Sequence, residues 1–143
     1  MKILLLEDDL ILNEIIEEHL LSQNYEVSAV YTGLEAQDLL YSQKFDLLLL
    51  DVNVPILNGF ELLKELRQKE IYTPAIFLTS LNQVSDIEEG FKSGCDDYIK
   101  KPFELKELDI RINNIKRLFN INPNNLIEIS KDIFLDVENL LII

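Results

Sequence analysis

Apolar runs of strand length restrict the fold of this sequence more than any other feature. The clearest are Ile3 to Leu6, Phe45 to Leu50 and Ala75 to Leu78. Runs of this kind are typical of strands that are covered on both faces in a parallel sheet. Weaker strand candidates are Glu26 to Tyr31 and Asp97 to Lys100. We therefore expect five strands in a buried, mostly parallel sheet.

Segments with apolar residues at helical spacing lie between and after these runs. Their apolar positions are Leu12, Ile15, Ile16 and Leu20; Ala36, Leu39 and Leu40; Phe60, Leu63 and Leu66; Val84, Ile87 and Phe91; and Leu105, Leu108, Ile112 and Ile115. Five strands that alternate with five amphipathic helices predict a βα repeat with right-handed crossovers. In an open sheet of this kind the functional site is expected at the carboxyl ends of the strands.

Charge and composition exclude several classes of protein. A net charge of −13 argues against nucleic-acid binding by this surface, since that affinity comes mainly from lysine and arginine. No run reaches the roughly 18 apolar residues of a membrane span, and the N-terminus lacks the regions of a signal peptide, so we expect a cytoplasmic protein. The single cysteine, Cys95, and the single histidine, His19, cannot make a disulfide or a zinc site. Both are interpreted as structural residues.

The character of the chain changes after Phe119. A polar segment that contains Pro123 cannot continue a helix, and the apolar groups beyond it predict short antiparallel strands. We expect one domain over residues 1–120, a linker over 121–125 and a β segment over 126–143. Fewer than about 20 residues cannot bury a core of their own, so this last segment needs a partner surface.

Side chains that carry chemistry follow four of the predicted strands. They are Glu7, Asp8 and Asp9 after the first strand, Asp51 after the third, Thr79 and Ser80 after the fourth, and Lys101 after the fifth. Crowded carboxylates need a cation unless they protonate, and oxygen ligands favour a hard ion such as Mg²⁺, or else Mn²⁺. Asp9 is also a candidate helix N-cap.

These residue types suit phosphoryl transfer to a carboxylate. Asp51 can accept a phosphoryl group as an acyl phosphate, while the Lys101 ammonium and a metal ion neutralise the incoming charge. The Thr79 hydroxyl can donate a hydrogen bond to a phosphoryl oxygen. Each residue alone has an ordinary explanation, such as a solvated strand end or a surface charge. Their order at four strand ends points to one site.

Four stretches of the sequence resemble the receiver domains of two-component response regulators. They are Lys2-Ile-Leu-Leu-Leu-Glu-Asp-Asp9, Asp46-Leu-Leu-Leu-Leu-Asp-Val-Asn-Val-Pro-Ile-Leu-Asn-Gly59, Phe77-Leu-Thr-Ser80 and Asp96-Asp-Tyr-Ile-Lys-Lys-Pro-Phe103. The resemblance covers residues 1 to about 120. It implies a flavodoxin-like open sheet of five parallel strands in the order 2-1-3-4-5, with helices on both faces and, here, a short C-terminal β appendage.

The resemblance also implies a role for each site residue. Asp51 becomes the phosphoryl acceptor and a metal ligand, and Asp8 becomes a direct metal ligand. Glu7 becomes a ligand that acts on the metal indirectly or through a water molecule. The backbone carbonyl of Asn53 becomes the remaining protein ligand. Lys101 is the family's lysine, and its bond to Pro102 is expected to be cis.

By the same resemblance, Thr79 and Tyr98 are the switch pair, in which the hydroxyl moves toward the phosphoryl group and the ring turns inward. A sensor histidine kinase is the expected donor. Phosphorylation then shifts a pre-existing equilibrium between two conformations by making contacts that are available in only one of them. The chain is not expected to be an enzyme beyond its own phosphotransfer and dephosphorylation.

Two stretches are similar to the OmpR/PhoB subfamily, namely Asp96-Asp-Tyr98 and Glu107-Leu-Asp-Ile-Arg-Ile112. The tail resembles the start of that subfamily's winged-helix DNA-binding domain. This predicts DNA binding only through a complete effector domain. It also predicts a homodimer through the fourth helix, fifth strand and fifth helix, with Asp97 and Arg111 as one charge pair. Ile87 and Leu118 depart from the basic residues that the subfamily would place there.

Two other functions stay open at this point. A metal-dependent phosphatase or phosphotransferase of the haloacid dehalogenase type would need a second aspartate two residues after Asp51. Asn53 stands there and cannot exchange that proton. A phosphorylation-independent interaction module on the same fold is disfavoured by the intact set of Asp8, Asp51, Thr79 and Lys101.

Overall fold

The computed structural model describes residues 1–120, so the predicted linker over 121–125 and the β segment over 126–143 lie outside the described part. The elements in chain order are β1 (Lys2–Leu6), α1 (Leu10–Ser22), β2 (Glu26–Val30), α2 (Gly33–Ser42), β3 (Leu47–Asp51), α3 (Gly59–Gln68), β4 (Ala75–Thr79), α4 (Val84–Ser93), β5 (Asp97–Lys100) and α5 (Leu105–Phe119). The predicted alternation of strands and helices is confirmed.

The five strands form one parallel sheet in the order β2-β1-β3-β4-β5. This is the flavodoxin-like order 2-1-3-4-5 that the resemblance implied. The ladder continues to the strand ends, where Asp51 pairs with Leu78 and Thr79 pairs with Lys100. The polar residues that close β3 and β4 are therefore fixed by backbone pairing.

Both faces of the sheet are covered, as the apolar runs predicted. Alternate residues of a strand point to opposite faces. In β1, Leu4 and Leu6 belong to a core that includes Ala36 of α2 and Leu63 of α3. Ile3 and Leu5, which point to the other face, are also fully buried. A strand buried on both faces tolerates polar residues only at its ends, and the site residues lie there.

The strand bounds differ slightly from the predicted runs. β3 begins at Leu47, because Phe45 is buried in the preceding connection without joining the ladder. It also extends through Asp51, and β4 extends through Thr79. Apolar runs mark where side chains are buried, whereas strand bounds depend on backbone hydrogen bonds.

Cys95 and His19 have the structural roles that the sequence indicated. Cys95 is buried in the core, and desolvation raises the pKa of its thiol to about 12. His19 lies partly exposed on α1, where its Nε2 is 2.7 Å from the Asp109 Oδ1 of α5. Among the described helices, none is long and apolar enough to cross a membrane.

The connection between β3 and α3 contains a strained residue. Ile56 has a φ of 71°, which is costly for a β-branched residue, and its side chain is 84% exposed. Because the side chain is exposed, packing contributes little stabilisation to offset this backbone strain. The strain is therefore stored beside the carboxyl end of β3.

We expect Ile56→Gly to raise the free energy of unfolding by about 1 kcal/mol, because glycine adopts this conformation without strain. Ile56→Ala is the matched control, since it removes the same exposed branch but keeps the Cβ. Urea denaturation measures both. An Ile56→Gly variant no more stable than Ile56→Ala would contradict the assignment of strain.

Candidate functional site

The structure gathers the predicted acidic residues at the carboxyl edge of the sheet. Glu7 and Asp8 directly follow β1, and Asp51 is the last residue of β3, the neighbouring strand. One carboxylate oxygen from each of the three lies within 4.8 Å of the others. Glu7 and Asp51 are buried, while Asp8 is exposed. The cluster is therefore buried on the side of Glu7 and Asp51 and open to solvent on the side of Asp8.

Lys101 reaches this cluster from β5, the edge strand of the sheet. It directly follows β5, and its Nζ lies 2.6 Å from Glu7 Oε1 and 3.4 Å from Asp51 Oδ2. A single ammonium therefore bridges the two buried carboxylates. Neighbouring Lys100 is exposed, and the Lys101–Pro102 bond is cis, as the resemblance implied.

The electrostatics of Asp51 follow from its burial. Desolvation raises the pKa of its carboxyl to about 7, and the charge of Glu7 adds to this rise. Lys101 and the Asn53 backbone N–H, which donates to Asp51 Oδ1 at 3.3 Å, act in the opposite direction. Without a further positive charge, Asp51 is therefore only partly ionised near neutral pH.

The Lys101 ammonium is held in its charged form. Burial alone would lower the pKa of this group, but the hydrogen bond to Glu7 and the charge of Asp51 raise it above its usual value. A permanently protonated lysine at this position is an electrostatic partner for negative charge that develops beside Asp51.

The donor set fits a hard divalent cation. Glu7, Asp8 and Asp51 offer only carboxylate oxygens, which Mg²⁺ and Mn²⁺ favour. Asp9 is excluded from the set, as the sequence indicated, because its side chain caps α1 by accepting from the Ile11 and Leu12 N–H groups. The ligand role of the Asn53 carbonyl stays a prediction.

The two predicted switch residues are connected through one backbone segment. Thr79 is fully buried, and its Oγ1 accepts a hydrogen bond from the Leu81 N–H at 3.1 Å. The Tyr98 hydroxyl donates to the Leu81 carbonyl at 2.7 Å, and its ring is turned inward and buried. The peptide groups of Leu81 thus link the end of β4 to the ring on β5.

The proposed dimer pair is found within one chain. Arg111 Nη1 lies 3.4 Å from Asp97 Oδ1, and Arg111 Nη2 lies 3.4 Å from Glu107 Oε2. The resemblance implied this charge pair for an interface between two copies, and that role stays a prediction.

Two contacts of the site were not predicted from the sequence. Glu7 was expected only near the metal, yet it makes the shortest contact of Lys101. The contact of the Leu81 carbonyl with Tyr98 was not predicted, because a backbone carbonyl can belong to any residue type. The opposite charges of Glu7 and Lys101, which follow β1 and β5 at the same edge of the sheet, were the available clue to the first contact.

Comparison with known proteins agrees with the fold. Residues 3–113 match the family model described as the response regulator receiver domain. The chain belongs to this family of two-component signalling proteins. Its relatives include transcriptional regulators of the OmpR/PhoB type.

Two of these relatives and one solved structure illustrate the similarity. The transcriptional regulatory protein CrdR of Helicobacter pylori is 46% identical over 93% of this chain and 60% of its own length. The response regulator protein PmrA of Pseudomonas aeruginosa is 40% identical over 82% of this chain and 53% of its own length. The chain thus spans between half and two thirds of either relative.

The structural comparison concerns a receiver domain alone. The Francisella response regulator 1452 receiver domain is 35% identical to this chain, with a TM-score of 0.79 over 82% of this chain and 98% of that domain.

Asp51 should make the stability of the fold depend on pH. Its folded pKa of about 7 exceeds the usual 3.8, so the folded state loses stability as the pH rises from about 4 through 7. The Asp51→Asn variant has no carboxyl to ionise at this position. In EDTA, its free energy of unfolding at pH 8 should therefore be higher than that of the wild type by on the order of 2 kcal/mol. This difference should decrease as the pH is lowered toward 4.

Urea denaturation at several pH values measures this difference. Asp38→Asn is the matched control, because Asp38 is exposed on α2. A gain from Asp51→Asn that does not grow with pH would contradict the electrostatic description of the site.

Proposed function

We propose that this chain accepts a phosphoryl group on Asp51 from a sensor histidine kinase, and that Glu7, Asp8 and Asp51 hold Mg²⁺ for the reaction. The observation that carries the proposal is the position of Asp51. Its carboxylate is buried at a strand end, 3.4 Å from a lysine ammonium and within one cluster with two further carboxylates.

The side chains have complementary roles in the transfer. An Asp51 carboxylate oxygen forms a bond to phosphorus while the bond from phosphorus to the donor imidazole nitrogen breaks, and the electron pair leaves with that nitrogen. In this proposal Lys101 neutralises charge on the transferred group, and the Thr79 hydroxyl, at the end of neighbouring strand β4, donates to one of its oxygens. A bound Mg²⁺ would supply Lewis-acid stabilisation of the same oxygens.

We propose that the chain is a phosphoacceptor rather than a multiple-turnover enzyme. Asn53, two residues after Asp51, carries an amide that cannot serve as general acid or base. Resetting would then depend on hydrolysis of the acyl phosphate by water.

Phosphorylation is expected to act on the face formed by α4, β5 and α5. The link from Thr79 through Leu81 to Tyr98 gives a physical route from the acceptor to β5. A contact that the Thr79 hydroxyl makes only with the phosphorylated site would bias the position of the Tyr98 ring.

We expect the wild type to gain one phosphoryl mass when it is treated with phosphoramidate and Mg²⁺. Asp51→Ala should gain none, and EDTA should abolish the reaction of the wild type, because the acidic cluster then lacks its cation. Intact mass spectrometry measures both. An equal gain in Asp51→Ala would place the modification elsewhere.

The two adjacent lysines provide a matched control for the electrostatic role. Lys101→Ala should slow labelling by about 100-fold, the usual loss for one stabilising donor. Lys100→Ala removes an equal charge from an exposed position and should label at the wild-type rate.

The output is proposed to be transcriptional. CrdR is a transcriptional regulatory protein and is longer than this chain, so DNA binding would require a complete effector domain. We further propose a homodimer through α4, β5 and α5, supported by the charged groups of Asp97, Glu107 and Arg111 on this face.

Beryllium fluoride with Mg²⁺, which mimics a phosphorylated aspartate, should convert the monomer to a dimer in analytical ultracentrifugation. Arg111→Ala should raise the dissociation constant about ten-fold, because it leaves two acidic groups unpaired. Lys44→Ala, at an exposed position outside these elements, should not change it. A monomer under all conditions would contradict the dimer but not the phosphoacceptor.

A further inference from the structure

The inward ring of Tyr98 lies in a slot between the sheet and α4. On the sheet side, its centroid is 6.3 Å from that of Phe77, with the ring planes 69° apart. Phe77 in turn contacts Phe60 edge to face, at 5.1 Å between centroids. The hydroxyl at the far end of the ring donates to the Leu81 carbonyl. The ring is therefore fixed on its sheet side and at its tip.

The α4 side of this slot is a glycine. A Cβ at Gly90 would lie 3.0 Å from both Cδ2 and Cε2 of Tyr98, and 3.5 Å from Phe60 Cε1. Contacts of 3.0 Å are tighter than nine in ten real Cβ contacts, so the neighbouring atoms would have to move by a few tenths of an ångström. The atoms that meet this Cβ belong to the edge of a rigid ring backed by Phe77, so they cannot shift as a flexible chain end would.

Backbone conformation does not explain this glycine. Gly90 lies in the interior of α4, and its φ is outside the left-handed region. Glycine in a helix interior costs about 0.5–1 kcal/mol relative to alanine. Gly90 is therefore explained by packing: because it has no side chain, the Tyr98 ring can occupy the space beside it.

We propose that Gly90 is a positioning residue for the switch: its lack of a side chain is what admits the Tyr98 ring to the inward position. A methyl group at residue 90 would favour the outward ring, in which the two carbons no longer face α4. This inference rests on the proposed function of Asp51. Because coupling between two sites is reciprocal, a residue that disfavours the inward ring also weakens binding of a phosphoryl mimic at Asp51.

The test compares Gly90→Ala with Ser85→Ala in the full chain. Ser85 is exposed on the same helix, so its substitution also raises helix propensity but fills no slot. Each variant is titrated with beryllium fluoride in the presence of Mg²⁺ and followed by amide NMR spectra. We expect Gly90→Ala to bind about five-fold or more weakly than wild type, and Ser85→Ala to bind as wild type.

The ring itself provides a second readout. Incorporation of 3-fluorotyrosine gives a fluorine signal for Tyr98, assigned by its loss in Tyr98→Phe. In wild type saturated with beryllium fluoride this signal should report the inward ring, and in Gly90→Ala it should shift toward the outward position. Urea denaturation should show Gly90→Ala to be folded, so that weaker binding is not a loss of structure.

A double substitution separates positioning from general packing. In a Tyr98→Ala background no ring enters the slot, and Gly90→Ala should then leave the affinity unchanged. Equal affinity of Gly90→Ala and wild type would overturn the inference, because α4 would have moved instead. A loss of affinity that persists without the ring would also overturn it. Failure of the wild type to bind the mimic would contradict the proposed function itself.

Discussion

One ammonium group shared by two buried carboxylates is the interaction on which this structure depends. Lys101 Nζ contacts both Glu7 and Asp51, and the side chains of these acids are almost completely removed from water. One positive charge cannot balance two negative charges, and Asp8 adds a third at the open side. Burial of Asp51 raises the pKa of its carboxyl to about 7, and the charge of Glu7 adds to this rise. The remaining negative charge favours a bound cation at this edge of the sheet.

The parallel sheet makes this arrangement possible. Glu7, Asp51 and Lys101 come from parts of the chain far apart in sequence, and only the shared carboxyl edge of β1, β3 and β5 brings them together. Because strand pairing continues to Asp51 and Thr79, the backbone of both residues is held by the hydrogen bonds of the sheet.

The resemblance to receiver domains implied the sheet order, and the polar residues at strand ends predicted which residues form the site. Neither predicted the contacts within the site. Apolar runs and strand-end polar residues are local signals, so Asp51, Thr79 and Lys101 could be assigned to one edge before any coordinates. The 2.6 Å contact between Glu7 and Lys101 depends on side-chain conformation across the sheet, which periodicity does not encode. The slot at Gly90 depends on how closely α4 approaches Tyr98, and a glycine in a helical segment does not by itself indicate which ring it faces.

The most direct test of the proposed site is a crystal structure of the chain with beryllium fluoride and Mg²⁺. We expect the fluoride group to be bonded to an Asp51 carboxylate oxygen, with Lys101 Nζ and Thr79 Oγ1 within hydrogen-bond distance of its fluorine atoms. We expect the metal to be bound by Asp8 and Asp51. A group bonded to another carboxylate, or a metal ion bound away from this edge, would contradict it.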